Sequence, residues 1–364
     1  MQHDTQSTRT YPCSTCGSQL VFHIGQQRLA CPHCGNQQDL VEAQGEVVEQ
    51  DLHAALAQLR HASDAPQALV SGEKEIVCQN CGGHTTFTGT LTSTRCPYCA
   101  TPIQRDDIHD APERLAIDGV LPFKVDDGQA KEALHKWING RWFAPTEFKQ
   151  YSKAGSFASV YTAYFTYDAE TATRYTGQRG DTRTYTTGSG DDQETHTETE
   201  WRHVSGHVRN SFDDVAVAAN EGLDKKHVEA LEPWPLEDVQ PFSPEFLAGH
   251  LSRTYDHDVK ECFTAAQQRM EAEIDRTIKA DIGGDQQRIS SRNIAWSGMT
   301  FKHILLPIWL LTVTYEGRPF QVMINGTTGE VQGQRPYSKV KIAFAVVVAL
   351  ILIAIAVVVY QGSR

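Results

Sequence analysis

Cys13-Ser14-Thr15-Cys16 is followed, after fourteen intervening residues, by Cys31-Pro32-His33-Cys34. Cys78-Gln79-Asn80-Cys81 and Cys96-Pro97-Tyr98-Cys99 repeat that arrangement 65 positions later with the same fourteen-residue interval. Two Cys-x-x-Cys knuckles joined by a short hairpin supply four soft ligands at the roughly 2.3 Å that tetrahedral zinc requires. A knuckle turns backbone N–H groups toward sulfur, which favours glycine just after the second cysteine. Gly17, Gly35 and Gly82 satisfy this, whereas Ala100 stands at the fourth such position. Pro32 and Pro97 pre-set a turn torsion at the second position of the later knuckles. The reading is two zinc ribbons with two structural Zn2+ ions, each closed by four thiolates: Cys13, Cys16, Cys31 and Cys34, then Cys78, Cys81, Cys96 and Cys99. An iron–sulfur or redox dithiol site is the competing reading. A fifth ligand would break the tetrahedron, so His23, His33 and His84 are read as surface side chains. A zinc with no open position for water is no Lewis acid, and in ribbons this small metal binding and folding are one free energy.

Eight of the nine cysteines fall into these pairs, too local for a secreted disulfide framework. No apolar run fills the polar first ten residues, so no signal peptide is expected and the N-terminal part is placed in the cytoplasm. The chain of 364 residues has a formal charge of −12, and residues 1–110 hold six Lys or Arg against twelve Asp or Glu. Only Arg28 and Arg95 lie between the outermost cysteines of the two quartets. Phosphate backbones are bound by clustered cations that release counterions, so this composition argues against nucleic acid as a partner.

Residues 342–360 run without a charge or a polar amide and are dominated by Val, Ile, Leu and Ala. At 1.5 Å per residue this stretch spans about 28 Å, one bilayer crossing. Arg335, Lys339 and Lys341 precede it and only Arg364 follows, so the positive-inside bias keeps the N-terminal side cytoplasmic, with insertion as a tail anchor. Ala345 and Ala349 form a small-xxx-small step that offers a homodimer contact within the lipid bilayer.

Between these ends the pattern is α+β. Leu52, Leu56 and Leu59 recur at helical spacing within a helix-forming stretch, residues 39–62, which links the ribbons. Gly119 to Phe123 begins a strand, and Asp127 starts a helix with Ala130, Leu134, Trp137 and Ile138 on one face. From Val160 to Val208 the period becomes two, reading as a long β-hairpin around Gly188-Ser189-Gly190-Asp191-Asp192. Its face bearing His196, Glu198, Glu200 and Arg202 is wet; its Thr and acid ladder could bind calcium, but alternating solvated strands are far commoner. Ser243-Pro244-Glu245 starts a short helix over 246–251. Cys262, Ala266, Met270, Ile274 and Ile278 recur every four residues in a stronger helix that ends at Gly283-Gly284, which makes Cys262 a core thiol. Residues 304–315, 320–324 and the turns after them form a meander leading to the membrane segment. The division is residues 1–38 (ribbon 1), 39–72 (helical linker), 73–105 (ribbon 2), 112–337 (strand-rich α+β domain) and 342–360 (transmembrane helix). No Gly-x4-Gly-Lys-Ser/Thr loop, Gly-x-Ser-x-Gly elbow or His-Glu-x-x-His pair occurs, so no catalytic residue is assigned and the chain is not read as an enzyme.

The two Cys quartets, residues 119–124 (GVLPFK), 142–145 (WFAP), 231–234 (LEPW), 282–285 (IGGD), 302–309 (KHILLPIW) and 325–330 (NGTTGE) together resemble a bacterial family of membrane-anchored double-zinc-ribbon proteins. Its members are often named primosomal helicase-like or TFIIB-type zinc-ribbon proteins. Where that family carries a Pro-aromatic-Trp strand resembling Pro307-Ile308-Trp309, this chain has Thr162-Ala163-Tyr164-Phe165-Thr166, and it holds no helicase motor. The resemblance implies an adaptor at the bacterial inner membrane in envelope stress or membrane remodelling, beside PspA-like, flotillin-like or virion-core-like partners. The alternative is a membrane-associated, replication-related nucleic-acid-binding protein.

Overall fold

Three strands of unusual length carry the fold of the computed structural model. It describes residues 11–362 apart from 19, 42–44, 65–72, 78–83, 89–92, 96–97, 99–101, 105–107, 111–114, 146–155, 189–193 and 253–254. In chain order the strands are β1 Val21–His23, β2 Arg28–Ala30, β3 Gln37–Gln38, β4 Gln50–Asp51, β5 Glu73–Val77, β6 His84–Thr88, β7 Ser93–Arg95, β8 Pro102–Gln104, β9 Ile108–Asp110, β10 Gly119–Val120, β11 Ser156–Thr187, β12 Glu194–Ala218, β13 Gln240–Pro241, β14 Leu251–Ser252, β15 Gln286–Tyr315, β16 Arg318–Asn325 and β17 Val331–Gly333. The helices are α1 Leu52–Asp64, α2 Asp127–Asn139, α3 Lys225–Glu229, α4 Val259–Ile282 and α5 Lys339–Gly362.

β11 lies at the centre, antiparallel to β12 from Tyr164↔Ala218 to Thr187↔Glu194 and to β15 from Ser156↔Thr312 to Gly180↔Gln286. Its first half is buried on both faces. Tyr161, Ala163, Phe165 and Tyr167 point into one core with Leu305, Trp309 and Leu311, while Val160 and Tyr164 point into a second with Ile304, Leu306, Ile308 and Leu310. Thr162 to Thr166 is enclosed throughout; each of its residues is at most 2% exposed. The first core is covered by α1 through Leu52 and Ala55, by α2 through Ala130, Leu134 and Ile138, and by the start of α4. Val228, Leu231 and Trp234 cover the second.

Past Ala169 the three strands leave the body as a blade, and only α4 follows them. Ile274, Ile278 and Ile282 pack there on Tyr175 and Val208, with Ile289, Ile294 and Trp296 of β15 alongside. α4 starts from a capping box, Asp258 with Glu261, and stops at Gly283 and Gly284, both at positive φ. Beyond Gly180 the β11–β12 hairpin continues without β15, and His196, Glu198, Glu200 and Arg202 are exposed as the alternation requires.

The structure corrects several expectations. Residues 286–303 form the first half of β15, so the expected meander strand at 304 is the end of a 30-residue element. The helix expected over 246–251 is a 3-10 turn, Pro244–Leu247, followed by β14, because β14 pairs in parallel with β11 at Val160. The stretch 39–62 is not one helical run: β4 first pairs with β15 at Thr300 and Phe301, and α1 begins only at Leu52. Inside α1 the expected stripe holds, with Leu52 buried and Leu56 and Leu59 against the main core.

Candidate metal centre

The first quartet is assembled by two knuckles of matching geometry. Gly17 N–H donates to Cys13 O (2.9 Å) and Gly35 N–H to Cys31 O (3.0 Å), and each glycine takes a positive φ, 75° and 73°. A side chain at either would be strained, the reason glycine closes both turns. Cys13 and Cys31 N–H groups in turn donate to Ser18 O and Asn36 O, at 2.7 and 2.8 Å. The hairpin β1–β2, in register from Val21↔Ala30 to His23↔Arg28, brings the knuckles together.

Cys13 Sγ then lies 3.5 Å from Cys34 Sγ, and Cys16 Sγ 3.6 Å from Cys31 Sγ. All four sulfurs lie within 4.8 Å of one another, and none is in a disulfide. A tetrahedron with about 2.3 Å metal–sulfur bonds has edges of about 3.8 Å, so the donor set fits a metal ion. Electrostatics point the same way. Burial raises the Cys13 thiol, but the N–H groups of Thr15 and Cys16 outweigh it and bring it to about 6. Cys34 goes the other way: Asn36 N–H lowers it, yet the neighbouring Cys16, burial and the other thiols push it to about 12. Four sulfurs this close cannot all ionise without a cation among them. His23 and His33 are exposed, as expected of non-ligands. The side chain of His84 and the second quartet, Cys78, Cys81, Cys96 and Cys99, lie outside the described residues.

The hairpin that carries the first quartet is not a free appendage. Cys13, Leu20, Phe22, Leu29 and Cys31 belong to the main core; Phe22 N–H donates to Ala248 O (2.8 Å), its ring lies 5.2 Å from Phe246, and Gln27 Nε2 donates to Phe123 O (2.8 Å). At that junction His250 stacks on Phe123 at 4.9 Å, with Nδ1 2.7 Å from Ser159 Oγ and Nε2 buried without a partner. Burial holds its imidazole down at about 4. Tyr98, from between Cys96 and Cys99, is fully buried in the other core, where its carbonyl accepts from Gln321 Nε2 and from Thr312 Oγ1 (3.3 Å). Segments of the two quartets thus reach opposite faces of the central sheet.

Sequence reading missed one further group: carboxylate oxygens of Glu49, Asp168 and Asp213 lie within 4.8 Å of one another. They are far apart in the chain, and the pairing of β4 and β11 with β15, together with that of β12 with β11, unites them. Lys302 already provides the positive charge there, 2.7 Å from Asp214 and 3.6 Å from Glu49, while Asp168 accepts from Asp214 N–H (2.6 Å) and Thr300 Oγ1 (3.0 Å). This network fastens the bulge in β12, where Asp213 and Asp214 together oppose Asp168 of β11. Cys262 is a core thiol as expected, 2% exposed and pushed up to about 12 by burial, with the nearby Asp258 carboxylate adding to the shift.

Among the described residues one helix is long and apolar enough to cross a membrane, Lys339–Gln361, and none of it is buried by the rest of the chain. Its start is held by two hydrogen bonds, Ser338 N–H to Phe143 O and Lys341 Nζ to Ala144 O, both 2.8 Å.

No family model matches the chain, and no solved structure does. A curated relative, an uncharacterized protein (YdjG) of Bacillus subtilis strain 168, is 25% identical over 335 residues, covering 92% of each chain.

Proposed function

We propose that this chain is a membrane-anchored adaptor whose structural zinc ions brace a cytoplasm-facing protein-binding body. The observation that carries the reading is the combination, in one chain, of a closed four-thiol site built into the core and an apolar helix that is not buried among the described residues. Four thiolates satisfy zinc completely, so the metal's contribution is fold stability rather than chemistry. Lys339 and Lys341 at the start of the helix, with Arg335 just before it, favour a cytoplasmic body at the bacterial inner membrane. The family resemblance supplies the process, envelope stress or membrane remodelling with PspA-like or flotillin-like partners.

The test is crosslinking in native membranes followed by mass spectrometry, alongside metal analysis of the purified chain. Recovery of membrane-remodelling proteins with close to two zinc ions per chain is expected. A recovered set dominated by replication factors would instead favour the nucleic-acid reading, and extraction of the chain by alkaline carbonate would remove the anchor.

A further inference from the structure

Around the start of α5 the chain gathers cations that, among the described residues, no carboxylate neutralises. Arg141, Lys226, His227 and Arg335 line a cavity of about 520 Å³ together with Trp137 and Tyr337, and no acidic side chain lines it. Among the described residues Arg141, Lys226 and Arg335 have no ion-pair partner. Arg141 lies over the Trp137 ring (4.7 Å), Arg335 lies over Tyr337 (5.2 Å), and Arg141 Nε is buried without an acceptor. Asp224, next in the chain to Lys225 and Lys226, is already engaged by His227 Nδ1 (2.5 Å) and Gln334 Nε2 (2.7 Å). The field of these cations is felt at the Tyr337 phenol, which Arg335 first, then Arg141 and Lys226, draw below its ordinary value.

The same two chain segments line a second cavity of about 510 Å³, walled by Trp142, Val340 and Phe344. Trp142 is 69% exposed and Tyr337 57% exposed. Uncovered aromatic side chains beside the first turn of an apolar helix sit at the depth where Trp and Tyr prefer the membrane interface. A ligand here meets unpaired cations at one end and apolar walls at the other.

We infer that these two neighbouring juxtamembrane cavities together bind an anionic phospholipid, its phosphate headgroup in the first among Arg141, Lys226 and Arg335 and its acyl end in the second along Trp142, Val340 and Phe344. The inference rests on the anchor proposed above. Headgroup level is where the start of α5 must lie if α5 spans, and cations at that level attract anionic lipid. A seated lipid would fix how the body stands on the bilayer, since α2, α3 and the β16–β17 hairpin all border the first cavity.

The test uses the full chain in mild detergent, with retained lipid counted by native mass spectrometry from mixtures of phosphatidylglycerol and phosphatidylcholine. Wild type should retain phosphatidylglycerol preferentially. The triple variant R141Q/K226Q/R335Q should bind it on the order of 100-fold more weakly, and R141K/R335K should keep most of the preference. Unchanged zinc content and melting temperature in the triple variant separate this loss from misfolding. Equal retention of both lipids by wild type, or an unaltered preference in the triple variant, would overturn the inference. So would variant-sensitive binding of inorganic phosphate combined with variant-insensitive phosphatidylglycerol, which marks a free-phosphate site. Carbonate extraction, scored separately on wild type, reads the anchor alone.

Discussion

At the scale of single residues, His250 shows how the environment decides chemistry. Its ring is enclosed by Phe123, Tyr161 and Phe22, with centroids 4.9, 5.7 and 6.1 Å away, and only Ser159 offers its Nδ1 a partner. The folded imidazole therefore stays neutral down to about 4, whereas a free histidine protonates near 6.5. Below pH 6.5 the unfolded chain takes up a proton that the folded one refuses. The stability involved is complete above that pH and is lost as pH falls toward 4, on the order of 3 kcal/mol. His250→Phe, which keeps the ring packing, should flatten this fall: its melting temperature should drop less than that of wild type between pH 7 and 4.5. Acid release of metal acts on both proteins, so the difference reads the imidazole, and parallel curves would show that it does not contribute. On the opposite face Tyr98 is fully buried, and Tyr98→Ala should cost about 3–5 kcal/mol. A denaturant midpoint close to that of wild type would mean that the cavity collapses.

At the scale of elements, α4 joins two cores: Val259, Cys262, Ala266 and Met270 face the body, and Ile274, Ile278 and Ile282 face the blade. Truncating Ile278 to Ala should therefore weaken the blade by about 2–5 kcal/mol. Hydrogen exchange should show faster amides in residues 172–180 and 286–296 while 300–311 keep their protection; uniform acceleration would mean that the two cores melt as one. This helix was readable because its apolar residues repeat every four positions without interruption. The first half of β15 was not readable for the opposite reason. Thr176 pairs with Ser291 and Gly177 with Ile289, so a bulge skips Ser290, and a second shift falls between Ser297 and Thr300. Ile289 and Ile294, out of phase in the sequence, consequently share the α4-facing core, and a strict period of two never appears. The Cys quartets announce themselves because their spacing is local, whereas Glu49, Asp168 and Asp213 meet only once distant strands have paired.

At the scale of the whole molecule, the first cysteine quartet is part of the packing that holds the body together. Cys13 and Cys31 share the main core with Leu20, Phe22 and Leu29, and these meet Phe246 and Ala248 on the segment that also carries His250. With the proposed zinc in this quartet, a hairpin this small folds only with its ligands satisfied, so loss of the metal is expected to release the hairpin and uncover that surface. Exposing Phe22 and Leu29 costs roughly 1.5–3 kcal/mol each, a large share of the 5–15 kcal/mol by which a domain is stable. Extracting the metal with a high-affinity chelator should lower the melting temperature of the detergent-solubilised chain and open residues 11–41 to protease. Re-adding zinc should reverse both. The chain should stay in the membrane fraction throughout, because α5 makes no contact with the ribbon among the described hydrogen bonds and cores. Cys31→Ser should reproduce the chelated state without chelator, while Cys262→Ser, at a buried thiol outside the quartet, should retain full metal content. If chelation removed the metal yet left melting and proteolysis unchanged, the ribbon would be docked by its apolar contacts alone.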